Sequence, residues 1–220
     1  MSDLARPPAP ASWPLLAASC AVFVLAWIVG LVIGGPAATP ASPGAEVLDL
    51  HRTAGLVQPV LVHGLAGLAL AGMSVGLMRI LRPALPLLLL GVTAALLSFT
   101  QLFCEFVLAL EPHLTADDAQ AWWTALTLFD GVKMLVLAAL MAMSTIRMQA
   151  LEIAGRVLPV VGYLGAVAIA ISGVGYFLVS ETLMIAANVS LPLLLLWAIV
   201  LPIVLRVPRH PAADRVRTSR

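Results

Sequence analysis

Long apolar stretches alternate with short polar segments along the chain. A helix needs about 20 residues to cross the hydrocarbon core of a bilayer, and each apolar stretch reaches that length. The pattern therefore predicts an all-α, polytopic membrane protein with six transmembrane helices. We expect these helices at residues 13–35, 54–80, 84–110, 119–146, 158–180 and 183–205.

The six helices are predicted to form one transmembrane domain, residues 13–205, between two tails. Residues 1–12 are predicted as a cytoplasmic N-terminal tail, and residues 206–220 as a basic cytoplasmic tail. A cleaved signal peptide is the competing interpretation of the first apolar stretch, but this stretch exceeds the usual apolar core of about 7–15 residues. Residues 36–53, rich in proline and charge, are predicted as a solvent-facing loop.

Arginines lie mostly on one side of the predicted bilayer. Cytoplasmic loops retain an excess of Lys and Arg, so this bias sets the orientation. With the N-terminus inside, only Arg52 lies outside, and the arginines inside are Arg6, Arg79, Arg82, Arg147, Arg156, Arg206, Arg209, Arg215, Arg217 and Arg220. We therefore predict a multi-pass membrane protein with both ends in the cytoplasm.

The composition points to the lipid bilayer as the main surroundings. Of 220 residues, 61% are apolar and 10% charged, whereas soluble domains average about 45–50% and 25%. The formal net charge of +1 gives no reason to expect a nucleic-acid partner. No nucleophile elbow, phosphate-binding glycine loop or HExxH motif occurs, so the absence of enzymatic activity is favoured, although an intramembrane active site stays open.

Three charged residues fall inside predicted helices: Glu105, Asp130 and Lys133. A charge at the centre of a bilayer costs about 2.5–3.5 kcal/mol on insertion scales, so such residues are expected to be paired or hydrated. Asp130 and Lys133 are three positions apart, on one face of a helix, and are predicted to neutralise each other. Glu105 is then left without a charged partner.

Other polar residues are expected at similar depths in the outer half of the membrane. Ser98 and Gln101 share a helical stripe with Glu105, which should face the inside of the bundle. His63 and Asn188 lie a few turns from the outer ends of their helices. We therefore predict a polar pocket, reachable from the extracytoplasmic side, that is lined by Glu105, Gln101, Asp130, Lys133, His63 and Asn188.

Three interpretations of this pocket stay open. Its charges can simply fasten helices together, or they can mark a pathway for a proton or a small polar solute. The third is haem or copper binding, because the run Leu61-Val62-His63-Gly64 resembles a helix start in copper-resistance membrane proteins. A second buried histidine is missing, and Cys20 and Cys104 have no metal-binding spacing, so no metal or cofactor is expected.

The second half of the chain carries a resemblance to known proteins. The run from Phe129 to Tyr176, FDGVKMLVLAALMAMSTIRMQALEIAGRVLPVVGYLGAVAIAISGVGY, resembles the fourth and fifth helices of a bacterial family of six-helix integral membrane proteins of unknown function. The last helix, with Pro192 and Trp197 ahead of Arg206, is similar too. This resemblance implies a fold and no activity, and it implies a multi-pass protein of the bacterial cytoplasmic membrane.

The leading functional hypothesis is a small transport or sensing component that binds a small polar solute or a proton. The alternative is a structural or partner-binding subunit without transport or catalytic activity. In that case the face of Gly72 and Gly76, whose spacing lets helices approach closely, would contact another chain or a second copy.

Overall fold

The computed structural model describes residues 11–34, 38–81, 84–153 and 155–206. The regular elements in these ranges are all helical, which confirms the predicted all-α fold. The helices are α1 (Trp13–Ile33), α2 (Gly44–Ala54), α3 (Val57–Ile80), α4 (Leu85–Leu110), α5 (Ala116–Ala150), α6 (Val157–Leu178), α7 (Glu181–Met184) and α8 (Ala187–Arg206). The predicted tails lie outside the described ranges, except for residues 11 and 12 and Arg206.

Six segments in the described ranges are long and apolar enough to span a membrane. They contain α1, α3, α4, α5, α6 and α8, and they agree with the six predicted spans to within a few residues. Each packs against the next in the chain, and α8 returns to α1, so the six helices form a closed ring. The connections after α3 are short, which makes neighbouring helices antiparallel. Helices α1 and α3 are joined by a longer segment that contains α2, and they are antiparallel too, because Gly30 lies near Val62 and Gly76 near Leu16.

The ring has two ends that differ in their construction. The end that contains Trp13 and Arg206 is called the Trp13 end, and the opposite end, where α2 lies, is called the α2 end. At the Trp13 end, Trp13 Nε1 donates a hydrogen bond of 2.7 Å to the Pro202 carbonyl, and the Arg206 guanidinium lies 5.1 Å from the Trp13 ring centroid. These contacts join the first and last helices of the ring.

Small residues let the helices approach closely at the Trp13 end. A Cβ atom on Gly76 would lie 2.9 Å from Cβ and 3.1 Å from Cα of Leu16 in α1. A Cβ atom on Gly72 would meet Ser19 in the same helix. The face predicted as a contact with another chain therefore packs against α1 within this chain.

The segment predicted as a solvent-facing loop contains helix α2, which is the main correction to the predicted architecture. The proline-rich part ends at Pro43, and the next eleven residues form an amphipathic helix that packs on α4 and α5. Its buried Val47 belongs to an apolar cluster with Cys104, Leu108 and Trp123. Charged residues on its other face made the segment look like a loop.

Helix α5 starts three residues before the predicted position, and a cap explains the difference. Thr115 accepts a hydrogen bond from the Asp118 backbone N–H, and the Asp118 carboxylate accepts one from the Thr115 backbone N–H. This capping box satisfies amide groups that the first turn of a helix leaves without partners. Acidic residues therefore continue the helix instead of interrupting it.

Candidate functional site

The two intramembrane charges of α5 form an ion pair, as predicted. Lys133 Nζ lies 2.9 Å from Asp130 Oδ1, and the Lys133 side chain is 5% exposed. Gln101 of α4 joins this pair, because its Nε2 donates to Asp130 Oδ1 at 2.9 Å and its Oε1 accepts from Lys133 Nζ. The amide uses its donor and its acceptor to link both charges across the α4–α5 contact.

The carboxylate of Glu105 has a partner that the sequence did not indicate. Its Oε1 lies 3.5 Å from His63 Nε2 of α3, and both side chains are about one-eighth exposed. Glu105 therefore contacts a titratable side chain of another helix, which carries a charge only when it is protonated. Two atoms of this pair, Glu105 Oε2 and His63 Nδ1, have no hydrogen-bond partner in the part of the chain that the structure describes.

A local irregularity of α3 surrounds His63. Residues Val60–Leu65 form a π-helix, with α-helical turns before and after it. Inserted π turns inside α-helices are rare and occur frequently at functional sites. Here the insertion contains His63, the only histidine among the described intramembrane residues. This histidine contacts the Glu105 carboxylate.

A cavity of ≈490 Å³ lies inside the ring. The Asp130–Lys133 pair and the His63–Glu105 contact both line it. Five of the six predicted site residues, Glu105, Gln101, Asp130, Lys133 and His63, come together here from three helices. The opposite side of the cavity is largely apolar and comes from α6 and α8. This arrangement confirms that the polar stripe of α4 faces the bundle interior: Ser98 and Gln101 are buried.

Asn188, the sixth predicted residue, also lines the cavity but in a different way from the prediction. We expected it about five residues inside the last helix, whereas the structure places it in the first turn of α8. A short helix, α7, and a turn at residues 185 and 186 precede Ala187, so α8 begins only one residue before Asn188. Asn188 is exposed, so it lies at the edge of the cavity instead of in its polar centre.

Tyr176 is a site residue that sequence analysis missed. It lines the cavity from α6, and Asp130 lines the same cavity from α5. The signal was available, because a tyrosine in an apolar helix carries a hydroxyl that needs a partner when it is buried. Which residues of α5 share the cavity with it depends on packing between helices.

A second, smaller cavity of ≈110 Å³ lies beneath α2. It shares His63, Glu105 and Trp123 with the larger cavity, so the His63–Glu105 pair borders both spaces. The outer side of the small cavity comes from α2 residues, among them Leu50 and His51. The two cavities place the contact between His63 and Glu105 between α2 and the interior of the ring.

Trp123 holds helix α2 and the segment before it against the α2 end of the ring. Its Nε1 donates a hydrogen bond of 2.8 Å to the Thr39 carbonyl in the segment before α2. The His51 ring contacts the Trp123 ring edge to face, with centroids 5.5 Å apart. Arg52 extends from α2 to the carbonyl of Glu111 at 3.2 Å. Helix α2 is thus attached to both α5 and the α4–α5 loop.

The described residues contain no group of three or more His, Cys, Asp and Glu side chains that could hold a metal ion. Cys20 and Cys104 are separate, buried thiols. Comparisons with protein-family models, curated proteins and solved structures find no match to this chain. The fold and the site describe a multi-pass membrane protein with a polar cavity inside a ring of six helices.

Proposed function

We propose that this protein is a small transport or sensing component that binds a small polar solute or a proton in the cavity of the ring. The observation that carries the proposal is the convergence of Glu105, His63, Asp130, Lys133 and Gln101 on one cavity. Intramembrane ionisable residues that face a cavity are common in solute and proton pathways. The volume of ≈490 Å³ also falls within the range of about 300–1,000 Å³ typical of ligand pockets.

The proposed orientation makes the cavity accessible from outside the cell. The cavity lies at the α2 end, whereas the arginine excess predicts that the Trp13 end faces the cytoplasm. Of the arginines that carry this prediction, Arg79, Arg147, Arg156 and Arg206 lie at the Trp13 end, while Arg52 lies on α2. A bacterial cytoplasmic membrane and membership in the bacterial six-helix family remain parts of this proposal.

The test compares wild type with Glu105→Gln, and Glu111→Gln serves as the matched control. Glu111 is an exposed carboxylate just beyond α4, and it borders neither cavity. The proteins are reconstituted in liposomes and assayed for stabilisation by small polar solutes and for proton uptake after an imposed pH difference. We expect Glu105→Gln to reduce at least one signal, and Glu111→Gln to retain both. Unchanged signals in Glu105→Gln would contradict the proposal.

A second candidate function is a structural or partner-binding subunit, and the Asp130–Lys133–Gln101 network supports it. These three side chains neutralise and hydrogen-bond one another between α4 and α5, as a purely structural fastening would. Since α1 covers Gly72 and Gly76, a partner or second copy would need another face. Crosslinking in native membranes would then trap one specific partner, and a monomer without any partner would count against this function.

A further inference from the structure

The charges that line the large cavity are unbalanced. Among the described residues around it, Glu105 and Asp130 are carboxylates, Lys133 is the one permanent cation, and His63 is the one group that gains charge only by binding a proton. With His63 neutral, the lining carries one excess negative charge. A charge inside a membrane protein is costly unless a counter-charge or water accompanies it.

The excess charge can be assigned to Glu105. The positive charge of Lys133 already has partners, because its ammonium contacts both Asp130 and Gln101. The Glu105 carboxylate has only the 3.5 Å contact with His63, and its Oε2 has no hydrogen-bond partner within the described residues. The Glu105 carboxylate can therefore accept a hydrogen bond from a cationic donor. Lys133 would attract an anion only weakly, because its charge is balanced by Asp130.

The remaining cavity surface suits an organic body better than a bare ion. Three aromatic side chains line it, Trp27, Trp123 and Tyr176, together with apolar residues of α5, α6 and α8. Aromatic faces attract cations through the ring quadrupole, most strongly where water is excluded. An inorganic cation would not contact most of this apolar surface.

We propose that the solute bound in the cavity is an organic cation, a protonated amine with an apolar or aromatic body. The ammonium group donates to Glu105, and the body lies against the aromatic and apolar surface of the ring interior. This inference rests on the proposed function, because it names the chemical class of the solute for the same cavity.

The experiment uses three probes that share an indole body and differ in charge: tryptamine (cation), tryptophol (neutral) and indole-3-propionate (anion). Binding to the purified full chain in nanodiscs is measured by calorimetry and by the thermal shift. We expect the affinity order tryptamine, tryptophol, indole-3-propionate. In Glu105→Gln, tryptamine should bind about tenfold or more weakly, the range for loss of a charged hydrogen bond, while tryptophol is unaffected. Glu111→Gln should resemble wild type.

The wild-type probe series keeps the test valid even if Glu105→Gln fails to fold. Equal affinity for tryptamine and tryptophol, or preference for indole-3-propionate, would overturn the assignment to cations while leaving solute binding intact. Binding of none of the three probes would also overturn it. Proton uptake and the wider solute screen then decide separately whether the proposed function survives.

Discussion

The Trp13 end and the α2 end are built from the same six helices, yet the Trp13 end is closely packed and the α2 end contains a cavity. Most of the largest fully buried side chains lie towards the Trp13 end, among them Leu16, Met73, Leu77, Met141 and Met148. Towards the α2 end the helices surround the cavity, Glu105, Asp130 and Lys133 line it, and a smaller apolar cluster lies beneath α2. Packing and polar chemistry are thus separated along the membrane normal.

This separation shows how a small membrane protein can combine a stable fold with a cavity. Association of helices in lipid depends on close van der Waals contact, and small residues at the interfaces permit it. Gly76 against Leu16 and Gly162 against Thr145 supply such contacts at the Trp13 end. The α2 end can then retain unpaired polar atoms, such as Glu105 Oε2, because the ring is closed elsewhere.

The largest effect is expected from breaking the ion pair at the α2 end. Lys133→Met would leave Asp130 without its cation and Gln101 without one of its donors. Removing one partner of a buried pair costs about 3–5 kcal/mol, because the other charge stays buried. The free energy of unfolding in mild detergent should fall by about this amount.

The double variant Asp130→Asn with Lys133→Met is the matched control for that prediction. Replacing both partners of a buried pair is often neutral or stabilising, so the double variant should recover most of the loss. Such recovery would mean that the charges are retained for something other than folding. If Lys133→Met is as stable as wild type, the pair is solvated in the cavity and the buried-pair argument is wrong.

A smaller effect is expected from filling a helix contact at the Trp13 end. The added methyl group in Gly76→Ala would meet the Leu16 backbone, which cannot move without shifting α1. Overpacking of this kind costs about 1–3 kcal/mol. The free energy of unfolding in mild detergent should fall by this smaller amount.

The matched control for Gly76→Ala lies in the same helix at the other end. In Gly64→Ala the new methyl group would lie 3.2 Å from Leu102 Cδ2, the flexible end of a side chain. The unfolding free energy of this variant should change by less than about 0.5 kcal/mol. Equal losses for both variants would mean that the two ends are packed alike.

The sequence predicted those features of the fold and site that depend on one helix at a time. Apolar runs define the six spans, and the spacing of three residues defines the Asp130–Lys133 pair. The contact of Glu105 with His63, and the cavity surface that Tyr176 shares with Asp130, involve different helices. Such contacts depend on how the helices rotate and pack, which periodicity in one segment does not determine.

Helix α2 was not predicted, for a different reason. Charged residues are far more frequent in it than in the spanning helices, and only one face, with Val47, packs on the ring. A short amphipathic helix is stabilised mainly by the surface against which it packs. That surface, around Cys104 and Trp123, comes from segments much further along the chain.

The smallest change in global stability is expected from detaching α2, because α2 is not part of the ring. A Cβ atom on Gly44 would meet the Ala116 carbonyl and lie 2.9 Å from the Gln120 nitrogen, both backbone atoms of α5. Gly44→Ala should therefore weaken docking of α2 by about 1–3 kcal/mol. The undocked fraction would rise about fivefold to more than a hundredfold, while unfolding of the six-helix ring is unchanged.

The two cysteines report this local opening without any added label site. Cys104 lies in the cluster covered by α2, whereas Cys20 lies in the core of the ring. A hydrophilic maleimide should modify Cys104 faster in Gly44→Ala than in wild type, and Cys20 at the same slow rate in both. The control Ala45→Ser changes a neighbouring exposed position and should behave as wild type. Faster modification of both cysteines would instead show that α2 supports the whole ring, and the contrast between the two ends would then no longer hold.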